Sequence, residues 1–495
     1  MDMIGKWLSQ ASDCAWGWPL LVLLFGTHLF LTYRLRFIQR YIGKAIKISL
    51  SRKGEGQGDI SQFGALTTAL AATIGTGNIV GVSSAVAMGG PGAVLWMWLT
   101  GVFGIATKYS EALLAVHYRV VMPNGQMAGG PMYALERGLK ARWLGVLFAV
   151  FTAIAAFGIG NMTQANSITS LVNDTWNEAA ATQAQPATQP GAEAASAPAT
   201  QSASSSSGAI LNQKFGHATL LQWIVGVAMT LLTAMVILGG IRSIARVCEV
   251  LVPFMAIFYV LGCLVLLVMK YDTLGDTFVL IVKSAFTGQA AVGGFVGAGL
   301  KEAMRYGIAR GLFSNESGLG SAPIVAAAAQ TRNPVRQALV SSTGTFWDTV
   351  VVCAMTGLVI VNGGEWAHGL SPTQLTHATF ADFHYVGPTI LVVGLLTFVF
   401  STILGWSYYG EKAVEYLFGT RAIRYYRYLW VVAVMVGSVV PLRAVWDFAD
   451  IANACMAVPN LIALLALSGV VVAQTRKYLW QGNIEASSES IEEQK

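Results

Sequence analysis

Ten consecutive residues, Ala72-Thr73-Ile74-Gly75-Thr76-Gly77-Asn78-Ile79-Val80-Gly81, place three glycines and an asparagine inside an otherwise apolar segment. Each glycine lowers helix propensity by about 1 kcal/mol relative to alanine. A backbone that unwinds away from water must find other partners for its amides and carbonyls. The chemistry this permits is recognition: freed amides can hold a carboxylate, and freed carbonyls a cation or an ammonium group. A second glycine-rich stretch, residues 288–299, contains Gly288, Ala291, Gly293, Gly294, Phe295, Gly297 and Gly299. Gly77-xxx-Gly81 and Gly293-xxx-Gly297 also match the spacing of close helix packing.

The elements that position these stretches follow from composition. The chain has 495 residues, 54% hydrophobic and 11% charged, with a mean hydropathy of +0.57. Soluble domains carry about 25% charged residues, so the chain reads as an all-α polytopic membrane protein. Eleven spans are expected, at about 17–35, 62–88, 92–120, 143–173, 217–239, 246–269, 276–310, 336–361, 386–416, 424–442 and 448–474. The loop after the first span holds Arg34, Arg36, Arg40, Lys44, Lys47, Arg52 and Lys53, which assigns it to the cytoplasm. Alternate threading then puts loop 117–142, the turn at Arg242 and Arg246, the stretch 301–336, the region 412–427 and Arg476–Lys477 inside. The N-terminus falls outside and the C-terminus inside, in a bacterial inner membrane. The five cysteines lack metal or disulfide spacing. Residues 179–209, of low complexity, read as a disordered external insertion. The tail from Gln481 has the same polar character.

Spans two and seven are the two glycine-interrupted ones, and they lie five spans apart. An odd offset gives the units that begin at them opposite orientation, the pattern of transporters built as inverted repeats. The expected division is 1–61 for the first span and basic loop, 62–270 and 271–475 for the two repeats, and 476–495 for a tail.

Several motifs carry a resemblance. The segment 72–81, Gly89-Gly90-Pro91-Gly92, Gly130-Pro131-Met132-Tyr133, Gly158-Ile159-Gly160-Asn161-Met162, Gly311-Leu312-Phe313-Ser314-Asn315-Glu316 and residues 400–410 resemble the alanine or glycine:cation symporters, also called sodium:alanine symporters. The resemblance runs from about residue 15 to 475. It implies the leucine-transporter (LeuT-type) fold, a 5+5 inverted repeat over spans two to eleven with spans two and seven broken. It also implies import of alanine or glycine with Na+ as the coupling ion.

On that footing Thr76 and Gly77 are expected to bind the substrate carboxylate, at the positive end of the half-helix beginning near Gly75–Gly77. Gln164 can donate to the same carboxylate. Carbonyls around Ala291 to Gly294 would receive the ammonium, and Phe295 and Trp406 would fill the volume beside the α-carbon. Trp406 lies one helical turn after Thr402. By the resemblance, the carbonyls of Ala71 and Ile74 and the hydroxyls of Ser401 and Thr402 hold sodium. Asn78 either joins a second ion site or braces the unwound turn.

Alternatives are a proton-coupled or differently selective carrier, an ion channel or receptor, and a membrane enzyme. No HExxH, Ser/His/Asp cluster or GxxxxGK[ST] is present, so neither an enzyme nor ATP use is expected, and nothing calls for nucleic acid. Lys108 and Glu111, three apart, read as a local ion pair. Glu302, Glu316, Asp348, Asp447 and Asp450 read as structural or gating residues near span ends.

Overall fold

The structure is a computed structural model describing residues 2–50, 56–184, 213–215, 218–287, 299–440 and 443–487. It is almost entirely helical. In chain order the first helices are α1 (Asp2–Ala15), α2 (Trp18–Arg34), α3 (Ile42–Ser49), α4 (Gln62–Thr73), α5 (Val80–Gly89), α6 (Ala93–His117), α7 (Pro131–Tyr133), α8 (Arg142–Phe157) and α9 (Thr163–Ala184). Next in the chain come α10 (Leu220–Ile237), α11 (Gly240–Met269), α12 (Leu274–Thr287), α13 (Leu300–Asn315), α14 (Pro323–Ala326), α15 (Pro334–Thr345) and α16 (Ala354–Gly363). The last are α17 (Pro372–Ala381), α18 (Val386–Phe418), α19 (Ala422–Val439), α20 (Arg443–Ala466) and α21 (Ser468–Thr475).

Among the described residues, seven helices are long and apolar enough to cross a bilayer: Trp7–Arg34, Arg142–Asn173, Leu220–Ile237, Gly240–Met269, Pro334–Gly363, Val386–Phe418 and Asp447–Ala466. They match seven of the expected spans closely. Helices α10 and α11 present Ile224, Leu231, Met235, Val250, Ile257 and Val268 outward, while α18 buries most of its length. Apolar side chains facing out from the first two are what a hydrocarbon surround requires. Residues 185–212, which hold most of the expected insertion, and the expected break at 288–299, apart from Gly299, lie outside the described residues.

Two small pairings close one end of the molecule. Ile60 bridges Ala329, and Gln57 bridges Thr331. Arg119 donates to the carbonyls of Gln57, Ala327 and Ala329, and Arg336 pairs with Glu485 of the tail at 2.5 Å. The basic first loop, loop 117–142, residues 327–336 and the C-terminal tail thus share one end. At the opposite end, Thr376 donates to Ser83, and Thr273 and Thr277 both donate to Asn362 Oδ1.

One topological expectation is corrected. Alternate threading puts the whole stretch 301–336, including the charged half-helix that the sequence reads at Leu300 to Arg310, on the basic end. Instead α13 begins at the opposite end, where a Cβ on Gly89 would lie 3.2 Å from the Glu302 carbonyl oxygen and 3.3 Å from Ala303 Cα. It then runs inward beside α6, with Gly307 against Ala93 and Gly311 against Thr100. The cations Lys301, Arg305 and Arg310 misled the charge rule. Arg305 instead faces Asp13 at 3.7 Å.

Candidate functional site

Helix α4 ends at Thr73, a single 3-10 turn covers Thr76–Asn78, and α5 starts at Val80. In a continuous helix the Gly75 amide would bond the Ala71 carbonyl. Here it donates to Asn78 Oδ1 at 2.8 Å, and the Asn78 amide bonds back to the Gly75 carbonyl at 3.1 Å. The Ala71 carbonyl is thereby released from its helical partner. The Asn78 amide nitrogen reaches across to Asp348 Oδ1 at 2.7 Å and to Cys353 Sγ at 3.3 Å. Asn78 Oδ1 is therefore engaged within the turn, and its side-chain Nδ2 ties the turn to Asp348 and Cys353.

Asp348 is fully buried, on a π-helical stretch, Phe346–Cys353. Such wide turns often mark functional positions. Besides Asn78 it accepts from Ser314 Oγ at 2.9 Å and from Thr349 Oγ1 at 2.7 Å. It ties the first interruption, the end of α13 and its own helix into one unit. The expectation of a residue near a span end, beside Lys or Arg, gives way to a mid-helix carboxylate with neutral donors at hydrogen-bond distance.

Of the expected ion ligands, Ile74 and Thr402 meet directly. Thr402 Oγ1 donates to the Ile74 carbonyl at 3.3 Å and to Phe398 O at 2.9 Å, and neighbouring Ser401 donates to Phe398 O at 2.8 Å. A Cβ on Gly75 would sit 2.6 Å from Thr402 Oγ1, and one on Gly405 2.6 Å from the Ala72 nitrogen. Glycine on both helices is what allows this approach. Ala71, Ile74, Ser401 and Thr402 are all buried. The result is a compact set of neutral oxygens, the kind a monovalent hard cation accepts.

Thr76 and Gly77 line a cavity of about 460 Å³ that also touches Val80, Ser84, Asn166, Arg310, Phe313 and Val399. It extends to Pro372, Thr373 and His377, at the end opposite the basic loops. Gly77 lies against α13: its Cβ would be 3.5 Å from Phe313 Cδ1 and 3.6 Å from Ser314 Cα. The positive N-terminal pole of α5 and the negative C-terminal pole of α13 thus meet at Gly77. A zwitterion has the two charges that such a pair of poles recognises.

Gln164 reaches Thr76 Oγ1 at 3.4 Å and Ile159 O at 3.0 Å, and its buried Oε1 has no hydrogen-bond partner among the described residues. Trp406 is buried and packed on the π-helical turn Gly158–Met162, where a Cβ on Gly160 would lie 2.3 Å from Trp406 Cβ. It is absent from the residues that line the cavity. Ala291, Gly294 and Phe295 lie outside the described residues. The aromatic beside Gly77 is Phe313, already present in the motif 311–316 but not singled out from sequence. The run Ser317-Gly318-Leu319-Gly320-Ser321-Ala322-Pro323 could have flagged this region.

That run is a second interruption within the described residues. Helix α13 stops at Asn315, Glu316 takes a left-handed conformation at φ 55°, and Gly318 and Gly320 follow at φ 94° and 88° before α14 begins. Glu111 Oε1 accepts the Gly318 amide at 3.0 Å and Asn460 Nδ2 at 2.7 Å, while Asn460 also donates to the Gly318 carbonyl. The expected local ion pair does not form: Lys108 Nζ has no hydrogen-bond partner among the described residues. Glu111 is turned to the glycine loop, whose free amide is a shorter-range partner.

A family model described as the sodium:alanine symporter family matches residues 1–492. The sodium/alanine symporter AgcS of Methanococcus maripaludis is 48% identical over 489 residues, covering 97% of this chain and 98% of that protein. An uncharacterised transporter of Haemophilus influenzae is 47% identical over 480 residues, 95% of each chain. The crystal structure of MhsT in complex with L-phenylalanine superposes with a TM-score of 0.55 at 16% identity, over 83% of this chain and 90% of that one. This last likeness establishes a shared LeuT-type fold and no more.

Proposed function

The chain belongs to the sodium:alanine symporter family, and from that premise we propose that it imports small neutral amino acids, alanine or glycine, with sodium by alternating access. The single observation that carries this is the meeting of opposite helix poles at Gly77, beside a cluster of neutral oxygens at Ile74 and Thr402. It is a transporter rather than an enzyme. In this reading the chain has eleven spans, α4 and α5 forming the broken second one, and sits in a bacterial inner membrane with its N-terminus out and its C-terminus in.

In this reading the amides at Thr76 and Gly77 take the carboxylate, helped by Gln164. The C-terminal carbonyls of α13 face the ammonium, and Phe313 limits side-chain size, the role first given to Phe295 and Trp406. The carbonyls of Ala71 and Ile74 and the hydroxyls of Ser401 and Thr402 bind sodium. Asn78 acts as the brace. Because the cavity reaches the Pro372 end, the conformation is open toward the outside. One sodium moving with a zwitterion carries one charge, worth about 2.3 kcal/mol per 100 mV.

Proteoliposomes given labelled alanine test the proposal. An imposed inward sodium gradient should drive accumulation, and uptake indifferent to that gradient would refute sodium coupling. Ser401→Ala with Thr402→Ala should raise the half-saturating sodium concentration by about tenfold or more, since each hydrogen-bonding ligand is worth roughly 1 kcal/mol. Phe313→Ala should admit longer apolar side chains, with competition by valine or leucine rising at least about tenfold relative to alanine. Unchanged selectivity would remove Phe313 from the site.

A further inference from the structure

Buried charges gather around the second interruption, and the transport reading gives Glu316 itself no part. Lys108, Glu111 and Glu316 are each 3% exposed, and Asp348 is fully buried. All three carboxylates lie within electrostatic range of the one Lys108 ammonium. Tyr409 of α18, whose hydroxyl has no hydrogen-bond partner among the described residues, lies within electrostatic range of Glu111 and Glu316, and His28 of α2 within range of Lys108. Glu111 Oε2 and His28 Nε2 are also buried with no hydrogen-bond partner among the described residues. Three ionised carboxylates against one ammonium would leave a net negative charge out of reach of water, which a protein interior resists strongly.

The hydrogen bonds distinguish the carboxyls. Glu111 Oε1 receives two N–H donors, from Gly318 and Asn460. Asp348 receives three donors, from Asn78, Ser314 and Thr349. These patterns favour the charged form. Glu316 has one hydroxyl partner, Ser321 Oγ, and a hydroxyl serves equally as donor or acceptor. A proton placed on Glu316 can therefore be donated to Ser321 Oγ without losing the contact.

We infer that Glu316 is a proton-binding site within the second interruption, neutral in the conformation described and held there by Ser321. Its position fixes what the proton controls. Glu316 caps α13 after Asn315, three residues beyond Phe313, so a charge on it would disturb the loop that sets the C-terminal pole of that helix. The assignment goes beyond sodium coupling and holds whether or not alanine is the substrate. The proton-bound form is the one packed here, so this state loses stability as pH rises from the ordinary carboxylate range up to the site's own titration, is level beyond it, and regains stability as pH falls.

The test measures thermal unfolding of the full-length protein in detergent, and sodium-driven alanine uptake at saturating sodium, across neutral to alkaline pH. The wild-type chain should show an alkaline limb approaching tenfold per pH unit in uptake, the limit for one proton, and a melting temperature that falls as pH rises from mildly acidic values toward that limb and levels off beyond it. Glu316→Gln should flatten both limbs. A Glu316→Gln profile that superimposes on wild type overturns the proposal. Infrared spectroscopy of the wild-type chain needs no variant: a protonated-carboxyl C=O stretch should be present near neutral pH and titrate away with the same limb. Its absence overturns the assignment. Sodium-independent uptake would refute the transport reading while leaving the melting and infrared results to judge this one.

Discussion

Gly75→Ala should abolish most sodium-driven uptake while leaving the chain folded in the membrane. The added methyl would stand 2.6 Å from Thr402 Oγ1, closer than any real Cβ contact. Thr402 cannot yield easily: it is β-branched, and its hydroxyl already bonds Phe398 O and Ile74 O. Either α18 moves away from the interruption or the hydroxyl turns from the Ile74 carbonyl. Overpacking of this kind costs about 1–3 kcal/mol, borne almost wholly by the proposed ion site. The expected readout is a rise of at least about tenfold in half-saturating sodium, with a smaller change in alanine affinity at saturating sodium. Gly75→Ala combined with Thr402→Ala removes the clash but also the ligand, so sodium affinity should not recover. If Gly75→Ala alone keeps wild-type sodium dependence, the cation does not lie between Ile74 and Thr402.

Asp348→Ala should have an equally large effect through a different route. It strips the acceptor from Asn78 Nδ2, Ser314 Oγ and Thr349 Oγ1 together. Each buried donor left unsatisfied costs about 1–3 kcal/mol, and the three sit on three separate elements. Loss of transport and a marked drop in melting temperature are expected together. Asp348→Asn retains one acceptor oxygen and the shape, so it should fall between the two. A melting temperature within error of wild type for Asp348→Ala would show that the interruption is held by something other than this carboxylate.

Asn78 illustrates what a linear sequence can and cannot decide. Its place after Gly75 and Gly77 marks a turn that departs from the helix, and the structure has that turn. Whether its side chain serves an ion or the backbone depends on Asp348, 270 residues away. No local pattern contains that partner. Glu111 is a similar case. Its spacing from Lys108 fits an ion pair, and the competing partner, the Gly318 amide, lies 207 residues further on.

The sequence by itself determined the membrane setting, seven of the spans, the glycine interruption at 74–79, the membership of a symporter family, and the grouping of the basic loops at one end. These follow from composition, hydropathy and glycine content, which are properties of contiguous residues and need no neighbour to be read. Only the tertiary structure decided the path of α13, the interruption at Glu316–Ala322, the choice of Phe313 beside Gly77, and the placement of Trp406 on Gly160. Each of these depends on which surfaces meet across the bundle. Charge counting placed Lys301, Arg305 and Arg310 at the basic end because it registers charges but not their partners across the bundle, such as Asp13 for Arg305.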